Sequence, residues 1–282
     1  MTHFPLIVRD IRTLQEWSHN LKMNGESLGF VPTMGALHEG HLSLISEAKK
    51  RCDRTAVSIF VNPAQFAPTE DFEAYPRTEK RDLQQLRDLG VDTVFAPNGA
   101  EMYAADHSTS IHPNGPALGL ETDFRPDFFN GVALVVTKLL LAALPDIAVF
   151  GEKDYQQLLV IKKLVDDLNI PVRIIGAPTV READGLALSS RNAYLSSEHR
   201  QIAPKLASVM MQVVSQIKQE HKPRECLSEG CEQLREAGFK IDYLELRDAE
   251  TLRRPADDFS GPRRLLAATW LGNTRLIDNM SA

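Results

Sequence analysis

The stretch Ser27-Leu28-Gly29-Phe30-Val31-Pro32-Thr33-Met34-Gly35-Ala36-Leu37-His38-Glu39-Gly40-His41 decides the fold. It opens with an apolar run, Ser27 to Val31, without the alternation of a half-exposed strand, and so predicts a strand buried on both faces. It closes with a turn and two histidines, and Leu42 to Arg51 then carries the apolar spacing of a helix. Comparable runs recur at Thr55 to Val61, Val91 to Ala96, Ile147 to Phe150 and Val172 to Ile175. Helical patterns separate them: Thr78 to Leu89 closed by Gly90, Val132 to Leu144, and Tyr155 to Leu168 with Pro171 just beyond. Right-handed crossovers lay helices on both faces of a parallel sheet. The alternation therefore predicts an α/β fold with a doubly wound, Rossmann-like parallel sheet, its ligands outside the carboxyl ends of the strands.

The order changes near Arg181. The segment Val180 to Leu195, rich in Ser, Gly and Arg, reads as a junction, and junctions often form one wall of a ligand cleft. Beyond it the periodicity predicts one long amphipathic helix, roughly Ser197 to Lys218, and a second around Arg224 to Ala237. Strands follow at Ile241 to Arg247 and Arg264 to Leu271. The expectation is a Rossmann-like domain over residues 1–180 and a second, smaller α+β domain over residues 181–282. A length of 282 residues, more than one minimal core needs, agrees with that division.

Composition narrows the function classes. With 43% hydrophobic and 25% charged residues, the chain is ordinary for a globular protein. A net charge of -6 supplies no general attraction to nucleic acid or anionic lipid. Cys52, Cys226 and Cys231 are odd in number and lack Cys-x-x-Cys spacing, which fits free thiols in a reducing compartment and no structural zinc. The opening residues, Met1 to Asn20, include Arg9, Asp10, Arg12, Glu16 and His19 and no secretion signal. Gly131 to Leu144 is interrupted by Lys138, stopped by Pro145, and short of the roughly 20 residues a membrane span needs. The expectation is a cytoplasmic enzyme acting on small ligands, with neither nucleic acid nor membrane as partner.

Four clusters carry chemistry, each just after a predicted strand or at the junction. In the first, His38 and His41 stand on one face of a helix start, where exposed backbone N–H groups and the helix dipole favour an anion such as phosphate. Gly35 and Gly40 let backbone approach a nucleotide closely. A purely capping and packing pair of histidines is the alternative. Zinc-protease chemistry is not, since His-Glu-x-x-His needs one more intervening residue. In the second, Asn62 and Gln65 of Phe60-Val61-Asn62-Pro63-Ala64-Gln65-Phe66 can donate and accept, as a hydroxy acid requires, or can form an ordinary Asn-Pro turn. The third, Gly151-Glu152-Lys153-Asp154-Tyr155-Gln156-Gln157, offers an ammonium to phosphate, an Asp that either contacts ribose or caps the helix, and Gln157 one turn on. The fourth, from Arg181 to Asn192, places Ser189 and Ser190 before Arg191, a hydroxyl and guanidinium set suited to a triphosphate, or a solvated loop.

These four segments resemble the pantothenate synthetase family, also called pantoate-beta-alanine ligases, in the nucleotidyltransferase superfamily with the two-histidine signature. The resemblance extends to Ile241-Asp242-Tyr243, Arg247-Asp248-Ala249, Trp270-Leu271-Gly272 and Arg275-Leu276-Ile277-Asp278-Asn279. It implies an ATP-dependent condensation of pantoate with beta-alanine through a pantoyl-adenylate, releasing AMP and pyrophosphate. By matching positions it implies catalytic roles for His41, His38 and Lys153. It assigns ATP to Met34, Gly35, Ala36, Leu37, His38, Glu39, Gly40, His41, Gly151, Glu152, Lys153, Asp154, Val180, Leu188, Ser189, Ser190 and Arg191. It assigns pantoate to Gln65 and Gln157, assisted by Asn62. It also implies Mg2+ held mainly by the ATP phosphates with no protein ligand, a homodimer, and a C-terminal domain that closes over the ATP site. In one place the chain departs from the family: where Arg-Pro-Gly-His-Phe is common, it reads Arg125-Pro126-Asp127-Phe128-Phe129. Two other readings compete. The histidine motif alone fits a nucleotidyltransferase acting on a phosphate-bearing substrate, though Gln65 and Gln157 suit a carboxylate better than a phosphate. A catalytically silent nucleotide-binding module is the other.

Overall fold

The computed structural model describes residues 4–67, 70, 72–256 and 259–282, so the first three residues of the Met1 to Asn20 reading lie outside the described residues. The chain divides into two compact units, one of residues 1–152 and 160–178, the other of residues 153–159 and 179–282.

The first unit runs β1 (Leu6–Val8), α1 (Ile11–Met23), β2 (Leu28–Thr33), α2 (Glu39–Lys49), β3 (Arg54–Ile59), α3 (Glu79–Asp88) and β4 (Thr93–Phe95). It continues through the short helices α4 (Gly99–Met102) and α5 (Glu121–Phe124) to α6 (Phe128–Ala143), β5 (Ile147–Gly151), α7 (Tyr155–Asp167), whose residues 155–159 belong to the second unit, and β6 (Arg173–Ala177). All six strands are parallel, in the order β1-β4-β3-β2-β5-β6. The chain steps outward from β2 through β3 to β4, then returns to pair β5 with the other side of β2. The topological switch point therefore lies between β2 and β5, where such sheets bind ligands at the carboxyl ends of their strands.

The strands pair because their side chains have no other place to go. Leu28, Phe30 and Val31 of β2 are all 0% exposed, and burying each stabilises the fold by about 1.5–3 kcal/mol. Val31, Val57, Val94 and Val149 make one core with Leu44, Ile45 and Ala48 of α2 and Leu86 of α3. Helices α1 and α6 pack on each other, and α6 packs on β2.

The second unit holds α8 (Ser197–Ile202), α9 (Lys205–Lys218), α10 (Pro223–Glu236) and an antiparallel sheet β7-β8-β9, formed by Lys240–Asp248, Arg263–Leu271 and Thr274–Ser281. Leu206, Val209, Met210 and Val213 of α9 and Leu234 of α10 share a core with Leu244, Leu265, Ala267 and Leu276 of the strands. The single helix expected from Ser197 to Lys218 is two helices. Pro204 has no N–H to continue the first and instead stands at the start of the second, where Ser208 N donates to its carbonyl at 3.1 Å. Asp242, at an irregularity in the β7–β8 pairing, accepts from Trp270 Nε1 at 3.1 Å and Arg275 Nε at 2.8 Å.

Candidate active site

The loop from Met34 to Leu37 leaves the carboxyl end of β2 in a conformation that side chains resist. Gly35 has φ 82° and Ala36 φ 50°. A Cβ on Gly35 would lie 3.0 Å from Ile59 and 3.1 Å from Asp82, so glycine answers both the dihedral and the crowding. Asp82 holds the loop in place. Its carboxylate, 1% exposed on α3, accepts from Ala36 N at 2.9 Å and Leu37 N at 3.0 Å, and Thr78 Oγ1 donates to it at 3.2 Å. Burying a carboxylate is costly unless its oxygens are satisfied. Here the satisfied oxygens shape the turn that starts α2.

His38 is the N-cap of α2 and His41 its third residue, and together they form a reciprocal capping box. His38 Nδ1 accepts from Gly40 N at 3.1 Å, and His41 Nδ1 accepts from His38 N at 3.4 Å. The ring centroids are 4.1 Å apart. With Nδ1 of each ring committed as an acceptor, the ring proton sits on Nε2. The two readings of the histidines are thus compatible: the cap fixes the tautomer and makes each ring a donor through its far nitrogen. Both rings are half-buried, Gly40 is partly covered and Glu39 is exposed.

After β3, Pro63–Gln65 forms a 3-10 turn capped by Asn62. Asn62 is 1% exposed and its amide is committed within this unit. Oδ1 accepts from Ala64 N at 3.3 Å and Tyr103 Oη at 2.7 Å, while Nδ2 donates to Gly131 O at 3.2 Å and Gln65 Oε1 at 3.1 Å. Gln65 Nε2 lies 3.1 Å from Met34 Sδ. The structure therefore brings Met34, Asn62 and Gln65 together, with Asn62 holding Gln65 from behind. Burial pushes the Tyr103 hydroxyl up to about 12, so it remains a donor to Asn62 at any working pH. Gly131 makes the arrangement possible: a Cβ there would fall 2.0 Å from Ala64 O.

Arg125 closes the same corner. Its Nε and Nη2 each reach a Glu70 oxygen at 2.6 Å, Nη2 donates to Gln65 O at 3.2 Å, and the guanidinium lies 3.8 Å from the centre of the Phe128 ring. Phe128 thus serves as the face on which Arg125 stacks.

In the second unit, Lys153 and Asp154 end a 3-10 turn from Glu152 that leads into α7. Asp154 is exposed, Gln157 is partly covered on the first turn of α7, and Gly151 ends β5 in the first unit. The Lys153 ammonium forms no ion pair among the described residues. From Val180 to Leu188 the chain folds back on itself, with Leu188 N donating to Val180 O at 3.0 Å and a bridge between Arg181 and Ala187. Ser189 caps the next turn, Ser190–Tyr194, accepting from Arg191 N at 3.2 Å. Arg200 donates to Asp184 at 2.6 Å and to Glu182, and the guanidinium holds the Asp184 carboxyl below its ordinary value.

Asp82, Tyr103, Arg125 and Gly131 shape this site; Asp82 and Tyr103 were not singled out in the sequence, and Arg125 and Gly131 entered only through the departing loop and the helix that follows it. The available signal was Asp82: it sits one turn before Leu86 on the face of α3 that enters the core, an unusual place for a carboxylate.

Known proteins resemble this chain over nearly its whole length. The family model for pantoate-beta-alanine ligase matches residues 6–281. The chain is 48% identical over 282 residues to a pantothenate synthetase of Bradyrhizobium, covering 100% of both. It is 51% identical over 275 residues to that of Rhodospirillum rubrum, covering 97% of this chain and 98% of the relative. Among solved structures, pantothenate synthetase from Thermus thermophilus superposes with a TM-score of 0.91 at 44% identity, covering 98% of each chain. Pantoate-beta-alanine ligase from Francisella tularensis, complexed with beta-gamma ATP and beta-alanine, superposes with a TM-score of 0.83 at 36% identity, covering 98% of this chain and 97% of that one.

Proposed function

The chain belongs to the pantoate-beta-alanine ligase family, and on that premise we propose how its residues divide the work of joining pantoate to beta-alanine with ATP. It is an AMP-forming ligase of an acid and an amine. A carboxylate is a poor electrophile because its charge is delocalised. The pantoate carboxylate therefore attacks the α-phosphorus of ATP, pyrophosphate leaves, and the amine of beta-alanine displaces AMP from the resulting anhydride.

The observation that carries the assignment of roles is the pinned imidazole pair. Two Nε2–H groups at the start of α2, beside the switch point of the sheet, face charge as it develops on the α-phosphate, with His41 the proton donor of the two. The loop from Met34 to Gly40 lines the nucleotide. Gln65 takes pantoate through its amide, oriented by Asn62, and Gln157 assists. Lys153 stabilises the phosphates as a point charge, and Gly151, Glu152, Asp154, Val180 and Leu188 to Arg191 complete the contacts with nucleotide. Under this reading residues 1–180 hold pantoate and the reacting phosphate, and residues 181–282 complete the nucleotide site. Mg2+ held by the phosphate oxygens would neutralise the leaving pyrophosphate.

We take the enzyme to act in the cytoplasm as a homodimer joined through its first unit. Supporting this, Leu6 and Ile7 on the edge strand β1 are 48% and 42% exposed, and the three cysteines are free. No helix among the described residues is long and apolar enough to cross a membrane. Light scattering giving the mass of one chain would overturn the dimer.

The test of the function is a product assay with ATP, pantoate and beta-alanine, omitting each in turn. Pantothenate and AMP should require all three, and exchange of pyrophosphate into ATP should require pantoate but not beta-alanine. Exchange that ignores pantoate and responds to a phosphorylated acceptor would replace the reading with a nucleotidyltransferase.

A further inference from the structure

The segment Arg275 to Asn279 carries a motif that neither the histidine site nor the nucleotide contacts absorb. It lies on β9, the last strand, where Asp278 and Asn279 are adjacent and both buried, at 3% and 4% exposure. Adjacent residues of a strand point to opposite faces, so this strand buries a polar group on each side of the sheet. Asp278 pairs with Ala267 on the face that packs against α9 and α10, and Asn279 pairs with Leu266 on the other.

Each polar group has a defined partner within the second unit. On one face, Arg181 Nη1 and Nη2 grip the Asp278 carboxylate at 2.6 and 2.8 Å, a bidentate pair that anchors the fold-back leading to Ser189. On the other, Asn279 Nδ2 donates to the backbone carbonyl of Lys153 at 2.8 Å. The amide cannot turn away from this bond, because its Oδ1 accepts from Arg264 Nε at 2.7 Å. Arg264 is fixed in turn, its guanidinium 4.0 Å from the centre of the Tyr155 ring, and Tyr155 Oη donates to Ala249 O at 2.8 Å. On this face the contacts of Asn279, Arg264 and Tyr155 brace the turn at Lys153. Lys153 itself points an ammonium that has no ion-pair partner among the described residues.

We propose that Asn279 is a positioning residue for adenylate formation: through the Lys153 carbonyl it fixes the turn from which the Lys153 ammonium reaches the phosphates of ATP. The inference rests on the assignment of Lys153 to the phosphates and deepens it. A lysine has a long flexible stem, so the placement of its charge depends on how firmly its own backbone is held.

The experiment is a double-mutant cycle on the full chain, read by pantoate-dependent exchange of pyrophosphate into ATP and by thermal unfolding. Asn279→Ala should lower exchange about tenfold or more, through kcat or the KM for ATP, with the KM for pantoate within about twofold of the parent. Lys153→Ala should lose more. The double variant should match Lys153→Ala within about twofold, because Asn279 has nothing left to position. If the two losses multiply, or if Asn279→Ala exchanges at the parent rate, the inference is overturned. If Lys153→Ala alone exchanges at the parent rate, it is the assignment of Lys153 that fails, and the two failures are thereby told apart. Should Asn279→Ala not fold, Asn279→Asp carries the same test, since it keeps an oxygen for Arg264, which also pairs the added charge, and loses the donor to Lys153. A rise in the KM for pantoate equal to that for ATP in this variant would also overturn the proposal.

Discussion

Each histidine caps α2 and is proposed to donate to the reacting phosphate, and substitution can separate the two jobs. Asparagine is among the best N-caps, so His38→Asn should keep the start of α2 while removing the imidazole. Adenylate formation should fall about 10²-fold or more, as for loss of a transition-state donor, with the melting temperature little changed. His41→Ala should show the same loss with a somewhat lower melting temperature, because His38 N loses its acceptor. Turnover near normal in both would reduce the pair to a cap. Asp82 is the complementary case, a residue with no reacting partner and a large structural debt. Asp82→Ala would remove the acceptor of Ala36 N and of the buried Leu37 N, the latter loss alone costing about 1–3 kcal/mol. Denaturant unfolding should show that loss in full, together with weakened ATP binding; undiminished stability would mean that the loop is held by something else. The histidines were legible from spacing at a helix start, whereas Asp82 was not. Its place on the apolar face of α3 marks it as odd, but what it does becomes readable only when the N–H groups it satisfies, more than forty residues earlier in the chain, are known.

Whether an element could be read depended on whether burial followed its period. β2 through β6 and α2, α3, α6 and α7 declare themselves by unbroken apolar runs or by apolar spacing. β1 does not: it is three residues at a sheet edge, with two of them exposed. β9 was missed because Asp278 and Asn279 occupy buried positions where the pattern demands apolar residues. The break at Pro204 went unread because the apolar spacing runs on across it, carried by Ile202 and Leu206 on the two sides. The packing of α6 against the turn at Pro63–Gln65 is the element contact on which pantoate use should depend most. Gly131→Ala would set a methyl group 2.0 Å from Ala64 O, so the helix or the turn must shift, at about 1–3 kcal/mol. Because Asn62 donates to Gly131 O and to Gln65, that shift should raise the KM for pantoate several-fold, on the order of a 1 kcal/mol change, and leave the KM for ATP unaltered. Equal effects on both substrates would show that the turn at Gln65 does not serve pantoate specifically.

At the scale of the molecule, the ionic groups set one boundary on stability, and its sign can be derived. Ser27 holds the Asp53 carboxyl below its ordinary value of 3.8 by donating from its hydroxyl and its backbone. Arg200 does the same for Asp184, and Arg51 and Arg9 hold Glu47 and Glu79 below their ordinary 4.5. A depressed native pKa means that the unfolded chain binds more protons in acid, so these groups stabilise the fold fully above the ordinary values and lose that contribution as the pH falls through the depressed ones. The groups are spread over both units, Asp53, Glu47 and Glu79 in the first and Asp184 in the second. Each is weak alone because most are well exposed to solvent and salt. Their sum should nevertheless give a denaturant midpoint that is level between about pH 8 and 6 and declines below about pH 4 in both units. Raising the salt concentration should shrink the decline, since these pairs are screened. A midpoint undiminished at pH 3 would show that these carboxyls do not set the boundary.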